Sequence, residues 1–241
     1  HMFSTMGLGG FSSHDASFGF FDSPAIEAVS ILFMLIAGCN FATHYVVLSG
    51  RSLRPYVTDP EAGAFLLVSI GSVIAIAVFL DVHEVYPNFS EALRFSAFNV
   101  VSIATTTGYA NTDYALWPFF APLWMLFLSS FATSAGSTGG GIKMIRAIVL
   151  YKQVYRELTR AMHPNAVHPI KIGSEVMPPN ILFAVLAFGF MYMVCIVSMT
   201  LALSFSGLEI ITAFSAVVAS INNTGPGLGE VGPATNFGGL S

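Results

Sequence analysis

Three short stretches of an apolar chain combine a hydroxyl or amide side chain with glycine. They are Ser4-Thr5-Met6-Gly7-Leu8-Gly9, Thr105-Thr106-Thr107-Gly108-Tyr109 and Asn222-Asn223-Thr224-Gly225-Pro226-Gly227. Aligned on their glycines, they match Gly7 with Gly108 and Gly225. Glycine allows backbone angles that turn successive carbonyl oxygens toward one axis. Carbonyls presented in that way can replace the hydration shell of a cation. The middle turn fits this scheme best, with Thr105, Thr106, Thr107 and Gly108 as candidate donors. A second glycine cluster runs Gly136-Ser137-Thr138-Gly139-Gly140-Gly141 and continues into Ile142-Lys143. A phosphate-binding loop would need lysine directly after the last glycine and a hydroxyl after that. Ile142 intervenes here and Met144 takes the hydroxyl position, so that chemistry is not supported.

The elements that hold these turns must lie in a membrane. Apolar residues make up 54% of the 241-residue chain and charged residues 9%. A soluble domain carries about 25% charged residues, which this chain lacks for a water-facing surface. Four segments reach the about 20 residues that a crossing requires. They run from about Ala25 to Leu48, Ala62 to Val82, Trp117 to Lys143 with a glycine-rich interruption, and Asn180 to Phe205. Two shorter apolar stretches, Glu91 to Ala104 and Glu209 to Ile221, suit re-entrant helices that dip in and return. Each starts with an acid, as a positive helix N-terminus favours, and ends at a glycine turn.

Basic residues orient the chain. Arg51 and Arg54, then Lys143, Arg146, Lys152, Arg156, Arg160 and Lys171, place the loops after the first and third crossings in the cytoplasm. All three glycine turns then fall on the outer side, flanked by Asp15, Asp22, Asp81, Glu84, Asp113 and Glu230. Those acids are either a cation-attracting vestibule or ordinary solvated loops. Irregular backbone at membrane depth survives only where it is buried in protein or lines a wet cavity. The Gly136–Gly141 cluster is therefore read as a flexible plug beneath the turns, with a passive packing kink as the alternative.

The net charge of −4 argues against nucleic-acid binding. Cys39 and Cys195 are expected to be buried, inert thiols. His14, His44, His83, His163 and His168 show no metal-binding spacing, and no nucleophile–base set or paired carboxylates support an enzyme.

These residues carry a family resemblance. The pieces are FSTMGLGGFSSHDAS (Phe3 to Ser17), CNFATHYVVLSGRS (Cys39 to Ser52), ATTTGYA (Ala104 to Ala110), SAGSTGGGIKMIR (Ser134 to Arg146), MHPNAV (Met162 to Val167) and NNTGPGLG (Asn222 to Gly229). In this order they resemble the membrane subunit of Trk-type potassium uptake systems, within the superfamily that holds the Ktr and plant HKT transporters. The resemblance implies an all-α integral membrane fold, a pseudo-fourfold pore of M1–P–M2 repeats with re-entrant pore helices and filter loops. The chain would cover roughly half of it. Residues 1–60 would end the second repeat, 61–160 form the complete third, and 161–241 supply a cytoplasmic loop and the first part of the fourth. The resemblance also implies K⁺ as the transported ion, filter positions at Thr5, Met6 and Gly7, at Thr106, Thr107 and Gly108, and at Asn223, Thr224 and Gly225, no organic cofactor, and a gating loop at Gly136, Ser137, Thr138, Gly139, Gly140 and Gly141. It further implies a homodimer in the lipid of the bacterial cytoplasmic membrane, and a cytoplasmic nucleotide-binding regulatory subunit of the TrkA type. Arg156 to Lys171 is either its docking surface or a solvated basic flank. The alternative function is a secondary transporter whose broken helices bind Na⁺ or an organic substrate.

Overall fold

A computed structural model of the chain describes residues 1–163, 168–173, 175–235 and 238. Among these residues ten α-helices follow one another: α1 (Met2–Met6), α2 (Pro24–Gly38), α3 (Phe41–Gly50), α4 (Arg54–Thr58), α5 (Pro60–Val82), α6 (Phe89–Ala104), α7 (Phe120–Ser129), α8 (Met144–Met162), α9 (Pro179–Phe205) and α10 (Ile210–Ile221). Among the described residues, the one departure from an all-helical fold is an antiparallel pair of two-residue strands, β1 (Lys171–Ile172) with β2 (Glu175–Val176), which pairs Lys171 with Val176. Of the MHPNAV stretch, residues 164–167 lie outside the described residues, as does part of the basic segment that ends at Lys171.

The helix starts follow local chemistry. Asp59 caps α5 by accepting from the amides of Glu61 and Ala62, and Pro60 occupies the first turn, where its missing N–H costs nothing. Pro24 and Pro179 start α2 and α9 in the same way. Among the described residues two helices, α5 and α9, are each long and apolar enough to cross a membrane. Helix α9 buries only 22% of its apolar window, with Leu182, Tyr192 and Ile196 the buried residues along it.

Two of the expected crossings are broken. The stretch from Ala25 to Leu48 is not one helix: α2 and α3 are bent by 96° at Gly38-Cys39-Asn40. In the third crossing only α7 is apolar helix, and residues 130–143 are non-helical before the amphipathic α8. The two breaks satisfy each other. The Ser134 amide donates to the Gly38 carbonyl at 3.0 Å, and the Phe41 amide donates to the Gly136 carbonyl at 3.0 Å. Backbone groups freed by a break need such partners away from water, so the two breaks stabilise one another. Gly38 also lies against the Phe65 ring, where a Cβ would stand 2.6 Å from Cζ. Cys39 is buried at this break, but Cys195 is exposed on α9, contrary to the expectation for both thiols.

The core gathers around α6. Phe98, Tyr109, Phe18 and Phe65 are fully buried there, and α5, α2 and α7 pack on its sides. Arg94 in α6 reaches Glu27 in α2 with two hydrogen bonds, Nε at 2.8 Å and Nη2 at 2.7 Å. The Glu27 side chain is 3% exposed and Arg94 also binds Asp22 at 2.9 Å. Removing one partner of such a pair strands a buried charge, which costs about 3 kcal/mol. Arg94→Met should therefore lower the thermal unfolding temperature of the purified full-length protein, and Glu27→Met added to it should restore much of the loss. An unchanged melting curve in the single variant would refute this role.

Candidate functional site

The three short helices α1, α6 and α10 end in the same backbone conformation. Each is closed by a residue in the right-handed region: Gly7 (φ −80°), Thr105 (φ −83°) and Asn222 (φ −83°). The next residue of each is left-handed, at Leu8 (φ 49°), Thr106 (φ 59°) and Asn223 (φ 56°). Two positions further on stands a glycine with positive φ: Gly10 (66°), Gly108 (84°) and Gly225 (96°). The hydrogen bonds repeat as well. Gly9, Thr107 and Thr224 donate their amides to Ser4, Ser102 and Ala219 at 2.9, 2.8 and 2.8 Å.

This geometry shifts the first turn by three residues from the sequence alignment. Gly108 and Gly225 correspond to Gly10, and Gly7 corresponds to Thr105 and Asn222. Thr5 and Met6 lie inside α1, and the Thr5 carbonyl accepts the Leu8 amide at 3.2 Å. The physical reason is local. Gly7 has a conformation that any residue can adopt, as its counterparts Thr105 and Asn222 demonstrate. Gly10 and Gly108 combine positive φ with close contact, since a Cβ on either would overlap the Thr107 and Thr224 carbonyl oxygens, respectively. A glycine followed by an aromatic, in Gly10-Phe11 and Gly108-Tyr109, was the sequence signal for this register.

The same contacts set the turns in order around a centre. The first turn lies against Thr107 of the second through Gly10, and the second lies against Thr224 of the third through Gly108. Thr105, Thr106 and Thr107 are all buried. The Thr105 hydroxyl donates to the Val101 carbonyl at 2.8 Å and lies 2.7 Å from the Thr107 hydroxyl. Ser102 donates to the Tyr109 carbonyl at 2.7 Å. The Tyr109 hydroxyl lies 3.2 Å from the carbonyls of both His1 and Phe11, bridging the second turn to the first. A β-branched residue with positive φ is a true outlier, so strain is concentrated at Thr106.

The Gly136–Gly141 loop packs against the C-terminal ends of all three short helices. The Gly140 amide donates to the Thr106 hydroxyl at 2.8 Å, and the Thr138 hydroxyl donates to the Met6 carbonyl at 3.3 Å. A Cβ on Gly139 would be 2.9 Å from the Thr105 carbonyl oxygen, and one on Gly140 would overlap that of Asn222. Gly141 fits equally closely over the Ser129 and Ser130 carbonyls. Lys143 donates to the Ser137 hydroxyl at 3.4 Å and to the Gly139 carbonyl. The Asn222 side chain joins the third turn to the break after α7, donating to Ser129 at 3.0 Å and Ser130 at 3.2 Å. It also accepts from Tyr192 of α9 at 2.7 Å. Neither the Asn222 network nor the Tyr109 bridge could be read from local sequence, because their partners are distant in the chain.

Of the flanking acids, Asp22 is engaged by Arg94 and Asp113 caps the short turn at Tyr114–Leu116. No group of three or more His, Cys, Asp or Glu residues among those described is placed to hold a metal ion.

Comparison with known proteins agrees with this architecture. A family model described as "TrkH: Cation transport protein" matches residues 1–238. The Trk system potassium uptake protein TrkH of Salmonella typhimurium is 44% identical over 241 residues, covering 100% of this chain and 50% of that protein. The Trk system potassium uptake protein TrkG of Escherichia coli K12 is 35% identical over 241 residues, covering 100% of this chain and 49% of that protein. The crystal structure of the potassium transporter TrkH from Vibrio parahaemolyticus matches with a TM-score of 0.93 at 42% identity, covering 99% of this chain and 51% of that one. The chain thus spans about half the length of the relatives it matches. Its apolar helices and this likeness make it a multi-pass protein of the bacterial inner membrane. The chain belongs to the TrkH family of cation transport proteins.

Proposed function

We propose that the chain forms three walls of a pore that takes up K⁺ through a filter of backbone carbonyls. The donors are Gly7 to Gly10, Thr105 to Gly108 and Asn222 to Gly225. The observation that carries this reading is the repeated sequence of backbone angles at three turns that touch one another in order. Carbonyl ends of α1, α6 and α10 converge there, and the negative end of a helix favours a cation. The three units correspond to the second, third and fourth repeats of a pseudo-fourfold assembly, and closing it requires a fourth wall. The Gly136–Gly141 loop lies beneath the filter as its gate. In the whole protein we place this pore in a homodimer, controlled by a cytoplasmic nucleotide-binding subunit of the TrkA type.

Three short helices converging by the same ends on one loop favour parallel repeats over the inverted ones of a broken-helix secondary transporter. The walls are chemically unequal, with Leu8-Gly9-Gly10, Thr106-Thr107-Gly108 and Asn223-Thr224-Gly225 at matching positions. Unequal walls hold fewer well-formed sites than identical ones, so modest discrimination of K⁺ over Rb⁺ and Na⁺ is expected. The test is radioactive rubidium uptake by the full-length protein in cells without other K⁺ uptake, with K⁺ and Na⁺ as competitors. Absence of uptake would refute the pore, and very high K⁺/Na⁺ selectivity would refute the effect assigned to the unequal walls.

A further inference from the structure

Glu61 has no duty that its own helix explains. Asp59 already caps α5, yet Glu61 is a carboxylate only 5% exposed. A buried charge needs compensation. Among the described residues no ion pair includes Glu61. Its Oε1 instead accepts two backbone amides, from Ala135 at 2.7 Å and from Ile145 at 3.1 Å. These residues flank the glycine loop, so one oxygen ties both of its ends together.

The Ile145 contact adds a second effect. Ile145 lies in the first turn of α8, where amides have no partner within the helix and the macrodipole is positive. Lys143, at the cap position of α8, makes no side-chain cap there. Glu61 thus supplies the missing cap from a different helix. Displacing α8 along its axis cannot leave the loop's neck unchanged, because both share this carboxylate.

We propose that Glu61 is a positioning residue that latches the Gly136–Gly141 loop in its closed place under the turns. The latch rests on the reading of that loop as a gate. Movement of α8 separates the Ile145 amide from Glu61 and frees the loop, while Glu61 itself touches no ion.

The test uses the full-length protein with Cys39 and Cys195 replaced by alanine and Ser134→Cys as reporter. Ser134 is fully buried beside the neck, and its hydroxyl has no partner, so the reporter removes no hydrogen bond. A charged methanethiosulfonate applied from the cytoplasmic side should modify the reporter about tenfold faster with Glu61→Ala, the factor given by about 1.4 kcal/mol. Glu61→Gln, near-isosteric but with an uncharged and therefore weaker acceptor oxygen, should give an intermediate rate and keeps the test valid if the alanine variant fails to fold. Equal rates in all three proteins overturn the latch. Rubidium flux in liposomes, measured in parallel, should rise with Glu61→Ala but not when Gly136 to Gly141 are already deleted. An equal rise in the deleted background overturns the latch. Faster modification with unchanged flux supports the latch and refutes the gate.

Discussion

Gly10→Ser and Gly108→Ser, each in the full-length protein, are expected to lower rubidium uptake at least about tenfold, and Gly7→Ser by less than about threefold. A side chain in the left-handed region costs roughly 1–2 kcal/mol before any contact is counted. At Gly10 and Gly108 that cost is joined by overlap with a carbonyl oxygen of the next turn, at Thr107 or Thr224. The two turns would have to separate, and the carbonyls proposed to bind the ion would separate with them. At Gly7 the backbone is ordinary, and a Cβ would stand 3.2 Å from the Phe3 carbonyl of its own turn. Uptake should be normalised to protein in the membrane, so that folding losses are not read as filter losses. Equal defects at Gly7 and Gly10 would reject the register of the first turn. Normal uptake with Gly108→Ser would reject the filter itself.

Deleting Gly136 to Gly141 is expected to raise flux about tenfold in liposomes, without any cytoplasmic partner. A gate held closed by about 1.4 kcal/mol is open only about a tenth of the time, and removal makes the path continuously open. The same deletion should weaken K⁺/Na⁺ discrimination. The Gly140 amide supports the Thr106 hydroxyl, and Thr106 holds the least favourable backbone conformation of the second turn. Without that donor the turn has an easier route to relax. Unchanged flux would exclude the gate. Lost flux with intact protein would make the loop a support for the turns and nothing more.

Much of the architecture was legible because each piece depends on local chemistry. Helices α5 and α9 follow from apolar length, and α6 and α10 from short apolar runs that end at glycine. The family resemblance was legible from motifs spread over the chain. The broken first crossing was not, since nothing in Ala25 to Leu48 requires a 96° bend. That bend depends on hydrogen bonds with Ser134 and Gly136, nearly a hundred residues away.

The first turn marks the boundary between the two kinds of information. By itself the sequence determined that turns of glycine with small polar residues recur in a membrane chain, because glycine and hydroxyl side chains act over a few residues. It could not choose between Gly7 and Gly10, both of which satisfy the local pattern. Tertiary structure decided for Gly10, because only there does the backbone of another turn come too close for a side chain. It decided Glu61 by the same means. A carboxylate at the start of a helix reads as an ordinary dipole partner until Ala135 and Ile145 are brought to its oxygen. Contacts between distant segments fix which glycine is indispensable and which acid has a partner, and no local rule contains them.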